Sequence, residues 1–473
     1  MKDSKILIIN PVIRKEDKPR HLPHGLAILA NIIKQKTKTT PIFLDINANR
    51  YTNRQVEQYI DDIKADTVLI GGLIPVYNDI IKITNYIKNT YPETNVIAGG
   101  SVAVSMPEIL LDNSKIDMVC TGEGELVIMD MLKKKLNRNG IAYRENGDVM
   151  INPPRKLIKS LDTQSGLPAY DLLPMDIYLS NPCVGIGKDI DFISSRGCPY
   201  RCTFCAQFWG HKSRYHSSEF IVKTIKYLKD TYNVNFISFQ DDEFISNKNR
   251  VIEFCKLKKK EAQDILWSCT GRTNIIANDE KLLKLMIKSG CVSVSYGFES
   301  GSQEMLNRMN KMQTIKQMEK VVGLSRKYKL PIPTSFIIGM PDETKDSCKE
   351  TLDFSLRNNI PLDSLMFATP YPGTEIFNFA MRTNRIGNVH EFAMNLGDAR
   401  KFTINLTDEF TNRELINTRN YMMKEARENY ESYITNDEIV ENLKRLFGKS
   451  YDKYPLTDEY ITQRMKYGGI YVF

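Results

Sequence analysis

Through the first 136 residues, short apolar runs alternate with amphipathic stretches. Apolar runs at Lys5–Asn10, Thr40–Asp45, Thr67–Leu73, Asn95–Ala98 and Met118–Cys120 are separated by helically spaced segments at Gly25–Lys36, Asn53–Ala65 and Asn78–Tyr91. Strands alternating with helices predict an α/β unit, a parallel sheet covered on both faces in the doubly wound Rossmann-like or flavodoxin-like manner. Ligands on such sheets bind beyond the carboxyl ends of the strands, where glycine admits a close approach. Asp45, Gly71-Gly72, Gly99-Gly100 and the turn Gly122-Glu123-Gly124-Glu125 all fall at such ends.

From 137 to 186 the periodicity weakens and prolines accumulate (Pro153, Pro154, Pro168, Pro174, Pro182), which reads as a connecting segment. A second alternating series then begins. Apolar strands are expected at Asp191–Ser195, Asn235–Phe239, Ile265–Gly271, Val292–Gly297, Ile332–Ile338 and Ser364–Thr369, with helical stretches such as Ser217–Thr231 between them. Six such units over 187–382 predict a partial (β/α)6 barrel of the TIM type, two units short of closure. The remainder, 383–473, is charged, Tyr-rich and mainly helical in period until Gly468-Gly469, and is expected to form a small helical cap.

Composition supports a folded chain with more than one core: 473 residues, 42% hydrophobic and 26% charged. The net charge of +8 arises from 65 basic and 57 acidic side chains spread along the sequence, which argues for a solvated surface rather than a nucleic-acid face. The apolar run near the start is too short for a secretory core or a membrane span, so the expected location is the cytoplasm. Nine cysteines then point to thiols or metal ligands rather than a disulfide framework. Cys120, Cys183, Cys255, Cys269, Cys291 and Cys348 are scattered and read as small apolar fillers.

The other three, Cys198, Cys202 and Cys205, lie in one loop directly after the first barrel strand, in Arg196-Gly197-Cys198-Pro199-Tyr200-Arg201-Cys202-Thr203-Phe204-Cys205. Three thiolates so spaced can each take one iron of a cubic cluster and leave the fourth iron open. Structural zinc and electron-carrying clusters normally take four protein ligands, and only His211 and His216 are spaced to supply a fourth. The Cys-x-x-x-Cys-x-x-Cys spacing with an aromatic before the last cysteine resembles the radical S-adenosylmethionine (SAM) superfamily. The resemblance extends, in order, through Phe239–Phe244, Ser268–Arg272, Tyr296–Gly301, Ser335–Pro341 and Pro370–Thr374. It implies a 4Fe-4S cluster on the three cysteines that cleaves SAM reductively to a 5′-deoxyadenosyl radical. It also implies SAM contacts from Phe204, Asp241, Asp242, Glu243, Arg272, Glu299, Ser335, Ile338 and Gly339. Of these, the acidic run would meet the methionine amino group and Glu299 the ribose.

A doubly wound domain ahead of such a barrel, with Pro23-His24-Gly25-Leu26, Gly99-Gly100 and Gly122–Glu125, resembles the cobalamin-binding class of that superfamily. The resemblance implies bound cobalamin near Asp45, Asn47, Gly71, Gly72, Gly99, Gly100 and Glu123. Where an Asp-x-His-x-x-Gly loop would place a histidine under the cobalt, the stretch reads Asp45-Ile46-Asn47-Ala48-Asn49-Arg50, so no histidine is expected there. The implied activity is cobalamin-dependent methyl transfer to an unactivated carbon. The alternative is an oxidative cyclisation, a rearrangement or another carbon–carbon bond formation. Expected partners are a small-molecule or peptide substrate and an electron donor such as flavodoxin or ferredoxin.

Overall fold

The computed structural model describes residues 4–133, 137–181 and 188–431. The first apolar runs form strands β1 (Ile6–Asn10), β2 (Ile42–Asp45), β3 (Thr67–Gly71), β4 (Asn95–Gly99) and β5 (Met118–Cys120). All five residues of β1 are buried, as expected for a central strand covered on both faces. Helices between the strands start at side-chain caps where the sequence offers them. Thr52 and Gln55, for example, form a reciprocal capping box at the start of Asn53–Ile63.

The order β2-β1-β3-β4-β5, parallel throughout, is the flavodoxin-like arrangement. Its direction reverses at β1, which opens a crevice beyond the strand ends between β1 and β3. The sheet does not stop at residue 136. Strands β6 (Ile141–Glu145) and β7 (Asp148–Ile151) extend it as an antiparallel hairpin, so the expected connecting segment begins after 151. The hairpin turns at Asn146-Gly147 with positive φ at both residues (52° and 94°), the conformation for which Asn-Gly is favoured.

The second sheet comprises β8 (Asp189–Phe192), β11 (Phe236–Phe239), β12 (Leu266–Gly271), β13 (Cys291–Glu299), β14 (Thr334–Ile338) and β15 (Leu365–Phe367). They lie side by side in chain order and all pair parallel, giving the expected six-stranded partial barrel. Between β8 and β11 a short antiparallel ribbon, β9 (Ser195–Arg196) with β10 (Arg214–Tyr215), closes the neck of the cysteine loop.

The residues after the barrel do not form a separate cap over 383–431. Ala393 and Leu396 pack into the core of the N-terminal domain, and the Tyr77 hydroxyl meets His390 Nδ1 at 2.7 Å. Leu415, Met422 and Ala426 of the helix Asn412–Glu428 join the barrel core. The edge of β15 is covered by Ala399, whose carbonyl accepts from Phe367 N at 2.8 Å. The segment is a brace, because its few apolar side chains complete existing cores rather than building one. The Gly468-Gly469 turn lies outside the described residues. Among the described residues no helix is long and apolar enough to cross a membrane.

Candidate active site

The ribbon register sets Ser195 opposite Tyr215 and Arg196 opposite Arg214, so the three cysteines sit on a loop, 197–213, with a pinched base. Gly197 has φ 86°, and a Cβ there would stand 2.9 Å from Lys212 O, so only glycine fits the pinch. The loop rests on the barrel. Thr203 N donates to Met309 O (3.1 Å), and Thr203 O accepts from Glu375 N and Ile376 N (3.0 and 3.2 Å).

Burial pushes the Cys198 thiol up to about 11 and that of Cys205 up to about 12, the latter also through its cysteine neighbours. Iron must therefore displace protons on binding. A cubane takes one thiolate on each iron, whereas structural zinc draws four ligands to one ion. His211 Nδ1 faces Tyr200 O (3.2 Å) and His216 Nδ1 pairs with Asp162 (2.8 Å), its ring stacked on Phe220. Arg272 lies 3.7 Å over the Tyr200 ring with Nη1 3.5 Å from Cys202 Sγ. Its Nε and Nη2 are buried without a protein acceptor, as donors awaiting sulfide or a carboxylate would be.

The acidic run divides by role. Asp241 is used inside the protein: it accepts from Ser194 N and Oγ (both 2.5 Å) and Ser195 N (3.2 Å), with Arg250 beside it. It ties the ends of β8 and β11 together, which corrects its expected contact with SAM. Asp242 opens into the central cavity and accepts from Gly197 N at 3.1 Å. Glu243 is buried, and that burial pushes it up to about 7 against the pull of Arg272 and Lys311.

Glu299 ends β13 at φ 63° and pairs with Lys311 Nζ at 2.6 Å, both side chains buried. Lys311 also stands 5.8 Å from the Phe204 ring centre. Sequence reasoning missed this lysine, since nothing in an isolated Asn-Lys-Met marks it. Ser335 and Ile337 share one face of β14, Ile337 in the apolar cluster with Phe204, whereas Ile338 packs into the main barrel core. The Ile338 side chain, expected at SAM, therefore lies on the core face of the strand, opposite to Ser335 and Ile337. Gly339 (φ 88°) is fixed by its N–H to Glu343 at 2.6 Å; burial pushes that carboxyl up to about 7. Removing Lys311 leaves Glu299 buried without its cation, so Lys311→Met is expected to weaken SAM binding about tenfold, the scale of a charge-assisted hydrogen bond. Calorimetry on reconstituted protein with its iron content unchanged tests this.

A cavity of about 900 Å³ lies between the two domains. Asn47, Gly71, Gly72, Gly99 and Gly100 bound it on the N-terminal side, and Arg196, Phe208, Trp209, Gln240 and Asp242 on the barrel side. The glycines form a seam: a Cβ on Gly71 would stand 2.5 Å from Gly99 O, and one on Gly100 (φ 83°) 2.5 Å from Gly72 O. Gly99, by contrast, faces open space. The closely packed strand ends and the open face at Gly99 leave room beside them for a large flat cofactor.

Two expected cobalamin contacts are corrected. Asp45 is buried, accepting from Asn10 Nδ2 (2.8 Å), Tyr178 OH (2.7 Å) and Ala48 N (2.9 Å). Glu123 turns away from the cavity to accept from Arg196 Nη1 (2.7 Å), Arg214 Nη1 (2.9 Å) and Ile158 N (2.7 Å). His21 and His24 both face Asp191 of β8, at 3.3 and 3.5 Å. Burial raises Asp191, but the two histidines hold it below the usual carboxylate range. Through Asp191 they link the N-terminal domain to the barrel.

A flavodoxin-like domain with a glycine cradle, facing a partial barrel that carries a three-cysteine loop, defines a cobalamin-class radical SAM enzyme. The chain belongs to that family. Residues 192–355 match the radical SAM superfamily and residues 11–132 the B12 binding domain. It is 33% identical over 397 residues to an uncharacterized methyltransferase, PH0819, of Pyrococcus horikoshii, covering 81% of this chain and 84% of the relative. It is 29% identical over 369 residues to the anaerobic magnesium-protoporphyrin IX monomethyl ester cyclase of Rubrivivax gelatinosus, covering 75% of this chain and 65% of that protein. The cobalamin-dependent SAM radical enzyme OxsB, solved with aqua-cobalamin and SAM bound, superposes with a TM-score of 0.66 at 19% identity, over 92% of this chain and 62% of that one. The two matched domains imply a 4Fe-4S cluster, SAM and cobalamin as the cofactors of this chain.

Proposed function

We propose that the enzyme transfers a methyl group to an unactivated carbon of a small-molecule or peptide substrate, drawing electrons from a flavodoxin or ferredoxin in the cytoplasm. The observation that carries this reading is the single cavity bounded by both the glycine cradle and the barrel residues beside the cysteine loop. Kinship to the methyltransferase-named PH0819 supports it.

When bound, the cluster and SAM supply a hydrogen-abstracting radical and cobalamin supplies the methyl group. Cys198, Cys202 and Cys205 would hold the cluster. Asp242 and Glu243 would meet the methionine end of SAM, Glu299, set by Lys311, the ribose, and Ser335, Ile337 and Gly339 the adenine. Asn47 and the Gly71-Gly72 and Gly99-Gly100 pairs would cradle the corrin.

Mass analysis of products with isotopically labelled SAM tests the reading: a labelled methyl group in the product is expected, with 5′-deoxyadenosine and S-adenosylhomocysteine formed together. A product changed without gaining methyl supports cyclisation instead, the reading that kinship to the Rubrivivax cyclase favours. Because Asn47 replaces the histidine and Asp191 engages His21 and His24, bound cob(II)alamin is expected to lack nitrogen superhyperfine splitting in its paramagnetic resonance spectrum. Asn47→Ala is expected to retain the cofactor.

A further inference from the structure

The neck of the cysteine loop contains an arrangement that the ribbon alone does not stabilise. Arg196 and Arg214 are directly opposed across β9 and β10, and like charges in that position repel. Neither β9 nor β10 supplies a counter-charge. The counter-charge comes from the turn after β5, in the other domain. Glu123 accepts from both arginines at 2.7 and 2.9 Å, and Glu125 takes the second arm of Arg196 at 2.6 Å. Ser165 Oγ accepts from the same Arg196 nitrogen at 2.8 Å, and Ile158 O from Arg214 at 3.0 Å. Both glutamates are 5% exposed or less. Burial tends to lower Arg196, yet Glu125 and Glu123 hold it above the ordinary arginine range.

Two cations that close one loop are thus bound to two anions of the N-terminal domain. Water does not screen this contact, and Arg196 divides its two arms between two carboxylates, so the contact fixes orientation as well as proximity. Arg196 is two residues from Cys198, while Glu123 and Glu125 flank Gly124, which lines the cavity. From this juxtaposition we propose that Glu123 and Glu125 are positioning residues that clamp the neck of the cluster loop to the cobalamin-binding domain and thereby set the separation of the two cofactors. The proposal rests on both cofactors occupying their sites, and not on which group is transferred. Its purpose follows from chemistry in a shared cavity, where an error of about 1 Å in the placement of reacting groups can cost about 100-fold in rate.

The test uses the full chain, reconstituted with iron, sulfide and cobalamin, in Glu125→Gln and Glu123→Gln variants. Pulsed paramagnetic resonance reads the distance between the reduced cluster and cob(II)alamin. A distribution at least twofold broader than in the parent protein is expected in Glu125→Gln, and a larger broadening in Glu123→Gln, with SAM affinity within twofold because no SAM contact lies in the turn. Loss of iron from Glu123→Gln with cobalamin retained also supports the clamp, since Glu123 touches no cysteine. Amide exchange over 197–213 provides a second measurement that needs neither cofactor. It is expected to quicken at least tenfold in Glu125→Gln, which keeps the Arg214–Glu123 pair and with it the fold. Unchanged exchange in the loop together with an unchanged distance distribution in both variants would overturn the proposal.

Discussion

Alanine in place of any one of Cys198, Cys202 or Cys205 is expected to remove most of the cluster iron and to abolish reductive cleavage of SAM. Three thiolates are the smallest set that holds a cubane while leaving one iron for an exchangeable ligand, and the loop has no substitute. His211 and His216 are turned to Tyr200 and Asp162, and no other cysteine lies on the loop. Because the loop is anchored through Thr203, Gly197 and the Arg196–Arg214 neck rather than through the thiols, each variant is expected to fold and to retain cobalamin. Cys255→Ala is the appropriate control: that thiol is buried in the barrel core, and its loss should leave iron content and cleavage intact. Iron and sulfide assays with 5′-deoxyadenosine yield decide the matter. Cleavage at the parent rate in the triple variant would sink the cluster assignment.

What the sequence made legible was what local pattern controls. The apolar runs placed all six barrel strands within a few residues of their observed bounds, because the face of each strand that packs under the helices repeats apolar side chains at every second position. The cysteine loop was legible because its chemistry depends on spacing alone. The hairpin at 141–151 was missed although Asn146-Gly147 marks its turn; its outer strand is largely exposed, so its apolar periodicity is weak.

The site residues that moved did so for long-range reasons. Asp241 and Glu123 look like free carboxylates until Ser194 and Arg196 arrive from elsewhere in the chain. Lys311 gains its role only when the chain brings it back to Glu299. The brace formed by 389–426 was unreadable for a similar reason. Ala393 and Leu415 are short apolar entries in two different cores, and neither periodicity nor composition says which core a helix will complete.

The glycine seam separates cofactor binding from folding, and Gly99→Leu is expected to abolish cobalamin uptake while sparing everything else. Three of the four cradle glycines are constrained by protein: a Cβ on Gly71 or Gly100 would strike the backbone at 2.5 Å, and one on Gly72 would press Val76 at 3.0 Å. Alanine at Gly71 or Gly100 is therefore expected to lower the melting temperature as well as cobalamin content, and would not distinguish a cradle from a packing requirement. At Gly99 a Cβ meets nothing within 4 Å, and the residue lines the cavity. A leucine there has room in the protein and projects into the volume assigned to the cofactor. The variant should melt within a few degrees of the parent, bind iron and SAM normally, and take up at least tenfold less cobalamin by absorption after desalting. Gly99→Ala, adding a single methyl group, should fall between the two. Stoichiometric cobalamin with the parent spectrum in Gly99→Leu would show that the cofactor lies elsewhere in the cavity, and would remove the glycine seam from the site.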